Sequence, residues 1–177
     1  QQRAGSAAEN AAFLAEHERV VVKPVDGEQG QGVAVDLLTP TEVQDAIERA
    51  KPFDSRVLLE SFHEGCDLRI LVIGFEVVAA AIRRPAEVIG DGRHSIGDLI
   101  DTQSRRRQAA TEGESRIPKD AETLRTLHAA GLDYDSILPQ GQHLAVRKTA
   151  NLHTGGSLED VTEILHPALA DAAVKAA

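Results

Sequence analysis

Methionine and tryptophan are absent from this chain, cysteine and tyrosine occur once each, and aromatic residues make up only 3% of it. Its core must therefore be largely Val, Ile, Leu and Ala. The lone Cys66 excludes an internal disulfide framework and fits a reducing cytosol, so a cytoplasmic location is expected. With no second Cys or metal-ligand spacing nearby, Cys66 reads as a small packing residue. The seven histidines are scattered without an H-E-x-x-H or related pair, which argues against zinc. No apolar run approaches the roughly 20 residues that span a bilayer, and no signal-peptide pattern opens the chain. Positive charge is also scarce: 19 Lys and Arg against 28 Asp and Glu give a net charge of −9. That balance, with so few aromatics, argues against nucleic acid as a partner. The basic residues that cluster, Arg83 with Arg84 and Arg105 with Arg106 and Arg107, suit a small anionic ligand. A missing initiator Met is expected of a segment cut from a longer protein, and 177 residues suffice for one good core or two small lobes.

Against that background, residues 20–35, VVVKPVDGEQGQGVAV, stand out as an apolar run, a glycine-rich turn and a second apolar run. Lys23 sits within the first run, where burying an ammonium without a partner is costly. Pro24 cannot donate to a central ladder and marks an edge or a strand end. Lys23 is therefore expected at a strand end, its head aimed at something anionic. Gly27, Gly30 and Gly32 let backbone amides approach a ligand closely, as a phosphate cradle requires. This is not a Walker loop, because the Lys precedes the glycines and no helix starts directly after them. A plain β-hairpin with a loose loop and a snorkelling Lys fits the stretch about equally well.

Residues 6–18 have a Ser start and Ala-rich spacing and are expected to form a short helix. Thr39-Pro40-Thr41-Glu42 is a capping box with Pro at the first helical position, opening a helix through about residue 50. Residues 56–62, 67–73 and 75–82 read as strands, the last running into Arg83-Arg84-Pro85. Ser95 opens a helix through about residue 108, and the polar stretch 111–118 is expected to be mobile. A helix over 120–130 stops at Gly131, residues 143–147 form a short strand, and 149–156, TANLHTGG, form a polar glycine loop. His166-Pro167 starts a last Ala-rich helix. This alternation favours an α/β or α+β sheet domain.

Several side chains could carry chemistry. Glu60, at the end of an apolar strand, is either a solvated strand end or an acceptor for a ligand's amino or hydroxyl group. Asp67 and Arg69 share one strand face and either pair with protein neighbours or touch a ligand. Arg83 and Arg84 point to opposite faces if the strand persists, so only one easily enters a shared site. Arg105, Arg106 and Arg107 read as a solvated helix face. Among the histidines, His153 in the glycine loop is the one to watch.

Taken in order, a strand with K-P, a glycine loop, a strand, a capped helix and then LLESFHEGCDLRI resemble the central part of an ATP-grasp ligase. RRPAEVIGDGRHSIGDLI, SRRRQAATEGESRIP and RKTANLHTGGSLEDVT resemble the matching region of cyanophycin synthetases, and more closely that of N-acetylglutaminylglutamine synthetases. The resemblance runs from Val20 onward. It implies an α+β ATP-grasp core of antiparallel-rich sheets with packed helices, truncated before its C-terminal metal-binding strands. Residues 1–62 would be the small lobe, and 63–177 a partial C-terminal lobe with an acceptor-side insertion.

By that resemblance, the first phosphate-binding Lys falls on Lys23. The glycine loop over the β- and γ-phosphates falls on 26–32, with Asp26, Gly27, Gly30 and Gly32. The adenine-binding strand end and hinge fall on Glu60, Ser61, Phe62 and His63. The ribose-binding acid falls on Asp67, where many relatives have the longer Glu. Arg83 or Arg84 matches the basic residue aimed at the transferred phosphate, and Asn151, His153 and Thr154 match the acceptor side. The cofactors implied are ATP and Mg2+, with the metal ligands beyond residue 177 and none within the chain.

The implied activity is amide formation through an acyl-phosphate, in which surrounding cations and amides neutralise the γ-phosphate. The expected substrates are small and amino-acid-like, joining an N-acetylglutamine-type to a glutamine-type partner. Growth of a cyanophycin-type polymer and a non-catalytic nucleotide-binding module are the alternatives. Self-association is left open, and the chain alone is expected to be inactive.

Overall fold

The computed structural model describes every residue except Gln29, which belongs to the expected loop 26–32. The chain divides into two compact units, Gln1–Glu64 and Gly65–Ala177. The fold is α+β, with antiparallel sheets and five α-helices among the described residues.

The first unit contains β1 (Gln2–Arg3), α1 (Ala7–His17), β2 (Val20–Pro24), β3 (Ala34–Leu37), α2 (Pro40–Ala50) and β4 (Val57–Ser61). Its four strands pair antiparallel in the order β1-β4-β2-β3. Both helices begin where the sequence places a cap. Ser6 and Glu9 close a capping box on α1, and Thr39 and Glu42 close one on α2 behind Pro40. Helix α2 buries Val43, Ala46, Ile47 and Ala50, the i, i+3, i+4, i+7 stripe of a helix lying on a sheet. They meet Val20, Val22, Ala34, Leu37, Val57 and Leu59 in one cluster whose only aromatic is Phe13. Gly32 is needed for packing: its φ is +68°, and a Cβ there would lie 2.7 Å from the Phe53 ring and 3.1 Å from Ala50 Cα. The loop can return against the end of α2 only without a side chain.

The second unit contains β5 (Asp67–Ile73), β6 (Glu76–Arg84), β7 (Glu87–Ile89), α3 (Ile96–Ala110), α4 (Ala121–Ala129), β8 (His143–Ala145), β9 (Ser157–Asp160), a 3-10 turn (Thr162–Ile164) and α5 (Pro167–Ala176). One sheet has the order β5-β6-β9, and β7 pairs with β8. Ser95 caps α3, Asp120 caps α4, and His166 caps α5 ahead of Pro167. Ala86, Val88, Ile96, Ile100, Ile117, Leu127, Leu138 and Val146 form its apolar core.

Three expectations fail. Strands β1, β7 and β9 are absent from the sequence reading; each has two to four residues, too few to show an alternating pattern. The polar stretch 111–118 is built into the fold: Ile117 is a core residue, and the buried Ser115 donates its hydroxyl to the Leu152 carbonyl at 2.6 Å. Cys66 is exposed, not packed, because it lies in the turn entering β5.

Candidate functional site

In the first unit the pleat decides where Lys23 goes. Val20, Val22 and Pro24 face the core, which puts Val21 and Lys23 on the opposite side of β2. The register pairs Val21 with Glu60 and Lys23 with Leu58, so Lys23 and Glu60 are diagonal neighbours on that side. Lys23 Nζ lies 2.8 Å from Glu60 Oε2, and the two side chains are 37% and 28% exposed. The ammonium avoids the core by alternation, and the anion it faces is a second candidate residue.

The expected loop is anchored at its start. Asp26 pairs with Arg56, whose guanidinium also holds Asp54 at 2.8 Å, and the Asp26 amide donates to Asp54 at 3.1 Å. Hydrogen bonds from Arg56 hold the Asp54 carboxyl down to about 2 from its ordinary 3.8. Further on, the Gln31 amide donates to Glu28 and the Val33 amide to Gly30, with Gly30 at φ +75°.

At the expected hinge, Ser61 Oγ lies 3.0 Å from His63 Nε2, and the Phe62 amide donates to the Arg19 carbonyl at 2.9 Å. The Arg19 guanidinium sits 4.6 Å over the Phe62 ring while Nε donates to the buried Asp36 at 2.6 Å. No sequence motif marks Arg19, since only the sheet register brings it to Phe62.

In the second unit Asp67 stands directly opposite Arg83 across β5 and β6 and pairs with it, with Arg69 Nε 3.6 Å away. The half-buried Arg83 keeps its Nε without a hydrogen-bond partner among the described residues. Arg84, on the other face, donates from Nε to Glu159 on β9 at 2.8 Å, and that bond raises its pKa.

The loop 149–156 returns against this end of β6. Ser157 pairs with Arg84, and a Cβ on Gly156 would lie 2.8 Å from the Arg84 carbonyl oxygen. Asn151 organises the loop: its side chain accepts from the His153 amide at 2.8 Å, and its carbonyl accepts from Gly156 at 2.8 Å and from Thr154 at 3.2 Å. The stretch 107–116 clamps it from outside. Arg107 donates to the Gly156 carbonyl at 3.0 Å, and the Arg116 amide donates to the His153 carbonyl at 3.1 Å. His153 Nδ1 lies 3.2 Å from the Glu114 carbonyl. Arg107 thus leaves the solvated face expected for it, and burial lowers its pKa. The loop carrying Asn151, His153 and Thr154 thus meets β6 at the end that holds Arg83 and Arg84, whose side chains leave opposite faces of the sheet.

Arg147 also has no signal in the sequence. It is only 4% exposed and donates to Asp120 and Thr123 at 2.8 Å each, tying the loop's start to the N-terminus of α4. A cleft of about 260 Å³ flanks it between α4 and β8. Among the described residues no group of three or more His, Cys, Asp or Glu side chains could hold a metal ion, and no helix is long and apolar enough to cross a membrane.

Residues 4–134 match the family described as prokaryotic glutathione synthetase, ATP-grasp domain. The chain belongs to this ATP-grasp family. It is 40% identical over 153 residues to the cyanophycin synthetase of Crocosphaera subtropica, a match covering 84% of this chain and 18% of that protein. It is 31% identical over 170 residues to the glutathione biosynthesis bifunctional protein GshAB of Clostridium perfringens, covering 93% of this chain and 22% of that protein. The crystal structure of a bifunctional glutathione synthetase from Pasteurella multocida aligns with a TM-score of 0.52 at 27% identity, over 97% of this ATP-grasp chain and 24% of that one. The chain thus spans about a fifth of the length of the curated relatives it matches. ATP-grasp ligases in general use ATP and Mg2+ to join a carboxylate to an amine.

Proposed function

We propose that the protein carrying this chain is an ATP-dependent carboxylate–amine ligase that forms an amide through an acyl-phosphate. The observation that carries the reading is the gathering of Arg83, Arg84 and the loop 149–156 at one end of the β5-β6-β9 sheet. Two anions must meet when a γ-phosphate is transferred to a carboxylate, and fixed cations lower that barrier. Arg83, whose guanidinium pairs with Asp67, and Arg84, which pairs with Glu159, are the candidate cations. Asn151, His153 and Thr154 are assigned to the acceptor.

The first unit is read as the small lobe and the second as part of the C-terminal lobe. Lys23 and the loop 26–32 are assigned to the phosphates. Glu60, Ser61, Phe62 and His63 are assigned to adenine, and Asp67 to the ribose. Glu60 faces the Lys23 ammonium at 2.8 Å, so phosphate oxygens would compete with that carboxylate for it. Magnesium is expected with ATP, although no ligand cluster for it occurs among the described residues.

For substrates we favour an N-acetylglutamine-type carboxylate and a glutamine-type amine. The 40% identity to a cyanophycin synthetase supports polymer growth as the second reading. The test is ADP release coupled to dipeptide detection, with the full-length natural protein screened across amino-acid pairs. ADP formed only when a carboxylate and an amine are both present supports the ligase. Nucleotide binding without turnover on any pair leaves a nucleotide-binding module.

A further inference from the structure

The loop 149–156 holds the backbone of His153 on both sides and gives its ring one contact. The His153 amide donates to Asn151 Oδ1 at 2.8 Å, and its carbonyl accepts from the Arg116 amide at 3.1 Å. Its ring Nδ1 lies 3.2 Å from the Glu114 carbonyl. A carbonyl oxygen can only accept, so in that contact Nδ1 carries the hydrogen. In the neutral ring the lone pair is then on Nε2, the nitrogen that this contact leaves unused. An imidazole whose backbone is held on both sides and whose Nδ1 faces a carbonyl is arranged to present Nε2 as a proton acceptor.

The place matters as much as the tautomer. Gly156 packs against the Arg84 carbonyl and Ser157 pairs with Arg84, so the loop sits at the strand end that offers Arg83 and Arg84. Glu114 and Arg116 meet His153 through backbone atoms, and Arg107 is engaged with the Gly156 carbonyl.

We propose that His153 is the general base of amide formation, its Nε2 taking a proton from the ammonium of the acceptor. This rests on the ligase reading above. An acceptor amino acid arrives as R–NH3+, which has no lone pair for attack. Proton transfer to Nε2 gives R–NH2, whose nitrogen attacks the acyl-phosphate carbonyl carbon. The C–N bond forms, the C–O bond to phosphorus breaks, and phosphate leaves with that electron pair. The surplus amide proton goes to the departing phosphate and the imidazolium proton to solvent, so one acyl-phosphate and one ammonium yield one amide, one hydrogen phosphate and one proton.

The experiment uses the full-length natural protein, its His153→Asn variant and two acceptors. Asn keeps an N–H able to reach the Glu114 carbonyl but supplies no base. Hydroxylamine is an uncharged amine at neutral pH and traps the acyl-phosphate as a hydroxamate without base assistance. The expected result is a loss of about a hundredfold in kcat with the amino-acid acceptor, within the span of general-base contributions, and an unchanged hydroxamate rate. The variant's amide rate should also climb with pH as free amine accumulates. Equal losses with both acceptors, or no loss with either, overturn the assignment of His153 while leaving the ligase reading intact. Absence of ATP-dependent hydroxamate in the wild type overturns both. If the variant is unstable, the wild-type profile decides. An acidic limb in kcat/KM with the amino acid that is missing with hydroxylamine supports the base, and identical profiles overturn it.

Discussion

The two units are held together by different means. The first buries twelve apolar residues in one cluster, with only Asn10 and Asp36 as buried polar side chains among the described residues. The second gathers eight apolar residues in one cluster, buries Ala80 and Val161 apart from it, and also encloses Ser115, Glu122, Thr123, Thr126 and Arg147. An apolar cluster specifies a sheet with a helix on it; a buried polar network fixes where loops go, because each enclosed donor demands a partner. The candidate groups follow the same division. Lys23 and Glu60 lie on a strand face set by the pleat, whereas His153 lies on a loop set by hydrogen bonds.

The sharpest way to break the contrast is to open the first core. Leu59→Ala should cost about 2–5 kcal/mol, because a fully buried Leu leaves a cavity that surrounding strands cannot fill. Urea unfolding checks it; a cost below about 1 kcal/mol would show a core less tightly packed than the burial implies. In the second unit, Arg147→Ala should cost about 1.5–3 kcal/mol, through lost charge-assisted bonds to Asp120 and Thr123. Its characteristic sign is faster amide exchange across 149–156, which the Leu59 variant lacks.

Lys23→Ala should weaken ATP binding about ten- to a hundredfold, the worth of a charge-assisted contact to phosphate. Calorimetry on the full-length protein measures it. The loss should shrink at high salt, since both Glu60 and nucleotide compete for one ammonium.

The smallest effect is that of pH. Asp54 has its folded-state pKa depressed from 3.8 to about 2 by Arg56, so its contribution is fully present above about pH 4 and is lost as pH falls toward 2. Asp54→Asn should lower stability at every pH above about 4, flatten the decline between about pH 4 and 2, and match wild type below that. A decline as steep as wild type, followed by circular dichroism, would remove Asp54 from the loop anchor.

Legibility in the sequence follows the same line. Caps carry their own chemistry, so Ser6, Thr39, Ser95, Asp120 and His166 announce their helices. The ATP-grasp family is legible because several segments occur in order, from the K-P strand to TANLHTGG. What stays hidden depends on partners far along the chain. Nothing local tells Ser115 that Leu152 will accept its hydroxyl, or Arg107 that Gly156 waits 49 residues on. Strand β9, with every residue exposed, has no alternation to read. The pairing of Lys23 with Glu60 needs the β2–β4 register, which no propensity supplies.

The exposure of Cys66 makes the protein convenient to probe. It is the only thiol in the chain, it lies two residues into the second unit, and it is open to solvent. On this chain a maleimide dye or nitroxide would attach at one place, at the start of the second unit. No tryptophan would compete with the dye's emission, and Tyr134 is the only tyrosine. Within this chain no second thiol would share the label.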